Sequence, residues 1–146
     1  RSSRTRRWPL AELVFFVSGV PVAKGRARIV RPKERGAKAH AFTPAKTEAW
    51  EARVRFVAML EARRRGWVAN VEPCEVEITL SGLSVRSDID NAAKAILDAL
   101  NGVAWDDDRR VWSLLVRRDE LLAIGGRPSG PGARVVVRRE PSTVGA

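Results

Sequence analysis

Apolar residues along this chain come in short blocks separated by Gly, Pro and Arg. The run LVFFVSGV at 13–20 is continuous, so Leu13–Ser18 reads as a buried strand, broken by Gly19-Val20-Pro21. Trp50, Val54, Val57 and Ala58 recur at a period near 3.6 and predict a helix. Thr43 is its N-cap and Pro44 its first residue, and it runs to about Arg65, before Gly66. In Pro73–Ser81, Glu75 and Glu77 alternate with Val76, Ile78 and Leu80, the pattern of a half-buried strand. Ala93, Ile96, Leu97 and Leu100 form the apolar face of a second helix over roughly 91–100. Asp90 or Asn91 would cap it and Asn101-Gly102 would end it. Val111–Arg117 and Arg134–Arg138 are two further strands, joined through a Gly- and Pro-rich loop at 124–132.

The segment 23–46 breaks this rhythm. It carries Lys24, Arg26, Arg28, Arg31, Lys33, Arg35, Lys38 and Lys46 against a single acid, Glu34. It reads as a loop or loose hairpin, with short strands near 27–31 and 39–42, that contacts phosphate. Together the elements predict a single α/β (α+β) domain at 13–140, with a mixed sheet of about five strands and two main helices. A basic tail at 1–12 and a frayed end at 141–146 flank it.

Composition narrows the function. The 146 residues are 45% hydrophobic, enough for a core, and no apolar run reaches the length of a membrane span. A formal charge of +10 suits a polyanion, most simply nucleic acid. The lone cysteine, Cys74, excludes an internal disulfide, fits a reducing compartment and reads as a packed thiol. Trp8, Trp67 and Trp112 are candidates for core, interface or base-stacking groups, with core packing the default for each.

Against that positive background, the aspartates are gathered in one place. Six of the seven fall within 84–111: Asp88, Asp90, Asp98, Asp106, Asp107 and Asp108. Crowded carboxylates repel unless something neutralises them. Asp88 and Asp90 would share one side of an extended segment, and a reversal at Asn101-Gly102 would bring the triple aspartate back beside them. The only histidine, His40, is distant in sequence, so the ligand set is oxygen alone and selects Mg²⁺ or Mn²⁺. A basic protein holding such an ion would hydrolyse phosphodiesters. Lys94, four residues after Asp90, fits two roles. One is an i,i+4 ion pair worth ~0.3–0.5 kcal/mol; the other is an ammonium facing the scissile phosphate. Asp98 reads as a structural ion-pair partner, and the triple aspartate has a plainer reading as a solvated turn.

RSDIDNAAKAILDALNGVAWDDDRRV resembles the signature of the RusA family of Holliday junction resolvases. The family pattern D-x-D-N-x-x-K-x-x-x-D-x-L-N-G is met from Asp88 through Asn91, Lys94 and Asp98 to Gly102. Its continuation W-x-D-D-x-x-V is met by Trp105, Asp107, Asp108 and Val111. GVPVAKGRAR at 19–28 and FTPAKTEAWE at 42–51 are similar to two further family segments. The resemblance implies a homodimeric, Mg²⁺-dependent endonuclease that cuts four-way DNA junctions with paired incisions, Mn²⁺ being a plausible substitute ion. By position it implies Asp88, Asp90 and Asp108 as catalytic metal ligands, Asp107 as a further candidate, and Lys94 as the catalytic lysine. Lys24, Arg26, Arg28, Arg31, Lys33 and Arg86 are the expected DNA contacts. Two other readings stay open: a non-catalytic DNA-binding protein on the same scaffold, and a metal nuclease acting on flaps or RNA.

Overall fold

A computed structural model of the chain describes residues 12–24, 28–30, 40–42, 45–120, 123–124, 127–128 and 130–139. The elements in order are β1 (Glu12–Ser18), β2 (Arg28–Val30), β3 (His40–Phe42), α1 (Ala45–Arg65), β4 (Cys74–Ser81) and α2 (Ile89–Leu100). Then come a 3₁₀ turn (Asp108–Arg110), β5 (Val111–Arg118), β6 (Ala123–Ile124), β7 (Arg127–Pro128) and β8 (Gly132–Arg139). The expected helix start at Thr43-Pro44, Trp8 and the two end segments 1–11 and 141–146 lie outside the described residues.

The main sheet has four strands in the order β1-β8-β4-β5. About five strands were expected in the sheet; among the described residues it has four, and β2 and β3 pair with each other in a separate antiparallel ribbon. A second ribbon, β6 with β7, forms within the stretch read as a loop. β8 runs antiparallel to both β1 and β4, whereas β5 runs parallel to β4. A parallel pair needs a crossover, and α2 supplies it. In β8, Val135, Val136 and Val137 are all buried, so this inner strand shows a continuous apolar run rather than alternation. Gly132 is required where β8 begins beside β1: a Cβ there would collide with the Phe16 ring and the Val17 carbonyl.

The core fills one face of the sheet. Leu13, Phe15 and Val17 of β1, Val76, Ile78 and Leu80 of β4, and Val135 and Val137 of β8 meet Trp50, Val54 and Ala58 of α1 and Ile96 and Leu100 of α2. Cys74 is buried, as expected. α1 lies against β1 and α2, and α2 reaches β5. Four alanines buried on α2, Ala92, Ala93, Ala95 and Ala99, let it sit close to its neighbours. On the polar side of the sheet, Arg138 pairs with Glu12 at 2.8 Å and Glu77 at 2.9 Å, and reaches Glu75 at 3.6 Å. Such exposed ion pairs contribute little to stability and chiefly mark the solvent face.

Candidate active site

The acidic stretch opens at the turn into α2. Asp88 occupies the N-cap position with extended dihedrals (φ −83°, ψ 141°), and its carbonyl accepts the Ala92 N–H at 3.1 Å. A capping aspartate ordinarily turns its carboxylate onto the first free helix N–H groups. Asp88 makes no such bond. α2 starts at Ile89, two residues earlier than expected, so Asp90 lies in its first turn. Asp88 and Asp90 are therefore not alternate residues of one extended segment, and their shared side cannot be argued from strand geometry. Asp90 Oδ1 accepts the N–H of Asn91 at 3.0 Å.

Arg118, the last residue of β5, fixes the approach to Asp88. Its guanidinium donates to the carbonyls of Leu83 at 3.1 Å, Ser84 at 3.2 Å and Ser87. Sequence reasoning missed this residue, because nothing in its spacing links it to a turn more than thirty positions away. Arg86 projects from the same turn and is exposed.

At the other end of α2 the chain reverses at Asn101 and Gly102 (φ +83°), a left-handed conformation that favours glycine. Trp105, fully buried, organises the loop around it. Its Nε1 donates to Asn101 Oδ1 at 2.9 Å, and Gly102 N–H donates to its carbonyl at 2.7 Å. Asn70 pins the loop from the other side. Its N–H donates to Ala104 O at 2.9 Å, and its carbonyl accepts from Asp106 N–H at 3.1 Å. The pinned loop delivers the three aspartates to a 3₁₀ turn that packs against α2.

Those three carboxylates differ. Asp106 is held by Arg110 through Nε at 2.8 Å and Nη2 at 2.9 Å, and this bond lowers its pKa to about 2. Asp107 caps the 3₁₀ turn, its Oδ1 accepting the Arg109 N–H at 3.0 Å. The carboxylate of Asp108 has no partner among the described residues.

On α2, Lys94 stands one turn beyond Asp90 and its ammonium lies 3.6 Å from Asp98 Oδ1. Asp98 Oδ2 accepts from the Lys24 ammonium at 2.6 Å. Of the other expected DNA contacts, Arg28 lies in β2, and Arg26, Arg31 and Lys33 fall outside the described residues.

Among the described residues no three His, Cys, Asp or Glu side chains stand close enough together to hold a metal ion. The donor chemistry nonetheless suits a hard dication. Every candidate ligand is a carboxylate, and those of Asp88 and Asp108 are unspent among the described residues.

Residues 18–138 match the family described as Endodeoxyribonuclease RusA. The chain belongs to this family. The match runs from the end of β1 into β8 and includes every candidate residue above. Membership implies endodeoxyribonuclease activity on Holliday junctions, with DNA as the partner. No individual curated protein matches this RusA-family chain. No helix among the described residues is long and apolar enough to cross a membrane.

Two tryptophans read as core residues part company around this RusA-family site. Trp67 is buried, with Nε1 donating to Ala104 O at 3.0 Å and Arg139 stacked 4.3 Å from its ring centre. Trp112 is 74% exposed, which corrects its default assignment to the core. It sits on β5, the edge strand of the four-stranded sheet, where the side chains from Trp112 to Leu115 are all exposed.

Proposed function

We propose that this RusA-family chain resolves four-way DNA junctions as a Mg²⁺-dependent homodimer, making paired phosphodiester cuts. The observation that carries the reading is the unspent carboxylates of Asp88 and Asp108, in a family of endodeoxyribonucleases. Asp88, Asp90 and Asp108 would hold the ion, with Asp107 as a further candidate. Mg²⁺ ordinarily takes only one or two protein carboxylates and completes its shell with water and substrate phosphate, so its binding does not require a preformed triad. Bound there, it would supply charge neutralisation at the phosphate and a more acidic water.

The chain's own groups do the rest. Lys94 presents an exposed ammonium one turn from Asp90, suited to the charge that develops on the phosphate oxygens. In the reaction a water oxygen bonds to phosphorus, one sugar–phosphate ester bond breaks, and the leaving alkoxide takes up a proton. Arg86 beside Asp88, and Arg26, Arg28, Arg31 and Lys33 in the basic segment, would hold the flanking phosphates. Two symmetric cuts need two equivalent sites, which a two-fold dimer supplies.

The test is incubation with synthetic four-way junctions, duplexes and single strands, in Mg²⁺ or in EDTA. Paired nicks near the junction centre are expected in Mg²⁺ and none in EDTA. Asp88→Asn is expected to lower the rate by about two to three orders of magnitude while junction binding persists. Tight binding with no nicking of any substrate in Mg²⁺ would leave a DNA-binding scaffold without catalysis.

A further inference from the structure

Lys24 stands at the entrance to the basic segment, yet its charge is spent inside the molecule. Its backbone N–H donates to Asn91 O at 3.0 Å, in the first turn of α2. Its ammonium donates to Asp98 Oδ2 at 2.6 Å and lies 3.4 Å from Glu51 Oε2 of α1. The side chain is only 27% exposed, and the bond to Asp98 raises its pKa above the ordinary lysine value. The other oxygen of Asp98 faces Lys94 at 3.6 Å, and the Lys94 side chain is 62% exposed. One carboxylate thus stands between two ammonium groups, one committed to the interior and one open to solvent.

This arrangement has a mechanical consequence. A lysine side chain on a helix surface has much rotamer freedom, and a partner limits that freedom only if the partner is itself fixed. Asp98 is fixed because Lys24 ties it to the start of α2 and to α1. We infer that Lys24 and Asp98 form a positioning pair for Lys94, holding its ammonium on the Asp90 face of α2, and that Lys24 does not contact DNA. The inference rests on the catalytic role proposed above for Lys94.

The two possible roles of Lys24 separate experimentally. Junction affinity is measured across a salt series for the wild type and Lys24→Gln, with EDTA present. Loss of a phosphate contact would reduce the slope of log affinity against log salt by about one. A positioning lysine leaves slope and affinity unchanged, and this is the expected result. Single-turnover cleavage in Mg²⁺ is then measured for Lys24→Gln, Asp98→Asn, the double variant and Lys24→Arg, each confirmed folded by near-UV circular dichroism. Both single variants are expected to cut about 10- to 100-fold more slowly at saturating protein. The double variant should be no slower than the worse single, because the two residues act as a unit. Lys24→Arg keeps the charged bond and should recover most of the rate. A reduced salt slope in Lys24→Gln, unchanged single-turnover rates, or independent losses that multiply in the double variant would overturn the inference. A wild type that cuts nothing would remove the reaction itself, while the salt slope would still show where the Lys24 charge is spent.

Discussion

Asp106, Asp107 and Asp108 are chemically identical neighbours with three different fates. Asp106 is clamped by Arg110, Asp107 bonds a backbone N–H, and Asp108 is unpaired among the described residues. The clamp has a pH signature. Asp106 titrates at about 2 in the folded chain, against an ordinary 3.8, because Arg110 favours the charged form. Since the folded value is the lower one, the contribution of the pair is present above the unfolded value and is lost as pH falls through about 2. Carboxyl ¹³C NMR is expected to show Asp106 among the last side chains to protonate, and Arg110→Gln should return it toward 3.8. Titration near 3.8 in the wild type would mean that the clamp does not form in solution. The sequence showed an acidic cluster that needed neutralising. It did not show that Arg110 accounts for one of its members, because the four-residue spacing crosses a turn and not a regular helix. Lys24 was legible as a positive charge, while its turn inward to Asp98 depends on a contact 74 positions away.

Elements were legible where burial was one-sided. α1 buries Trp50, Val54 and Ala58 at the spacing read from the sequence, and β4 keeps the alternation of Glu75 and Glu77 against Val76 and Ile78. The start of α2 was placed late because Asp88 holds the cap position without using its side chain as a cap. β5 was found as a strand, but its exposure was not, since an apolar strand reads alike at the edge and in the interior. Its neighbour in sequence, Trp105, shows the contrast: it is wholly buried and holds the loop that carries the aspartates. Trp105→Phe keeps most of the ring but leaves Asn101 Oδ1 without its donor, at an expected cost of about 1–3 kcal/mol. Trp105→Ala should cost about 3–5 kcal/mol. Urea denaturation checks both. Cleavage by the phenylalanine variant should fall further than its unfolded fraction explains, because the Asp108 turn shifts. A phenylalanine variant of wild-type stability and rate would show that packing alone orders the loop.

At the scale of the molecule, a charge of +10 and an edge strand with exposed apolar residues bear on the proposed dimer. Two such chains repel, so they can meet only where positive charge is sparse. The apolar stretch of β5 between Arg110 and Arg117 is the candidate for that place. Among the described residues it pairs with β4 alone, and Trp112, Leu114 and Leu115 are exposed along it with no charge between Val111 and Val116. An apolar edge strand left bare invites pairing. β5 also comes directly after the Asp108 turn, so a two-fold through this edge would link two active sites through short, stiff segments. The wild type is expected to have twice the chain mass by light scattering at micromolar concentration. Leu115→Lys should give the single-chain mass, because it places a charge within the apolar stretch that would meet its copy. Raising salt should tighten the wild-type dimer, since screening weakens the repulsion while leaving the apolar contact intact. Junction cleavage by Leu115→Lys should then lose its pairing, the two nicks appearing independently in time. If the lysine variant stays dimeric and keeps coupled incision, the two copies meet elsewhere, and β5 is exposed for another reason.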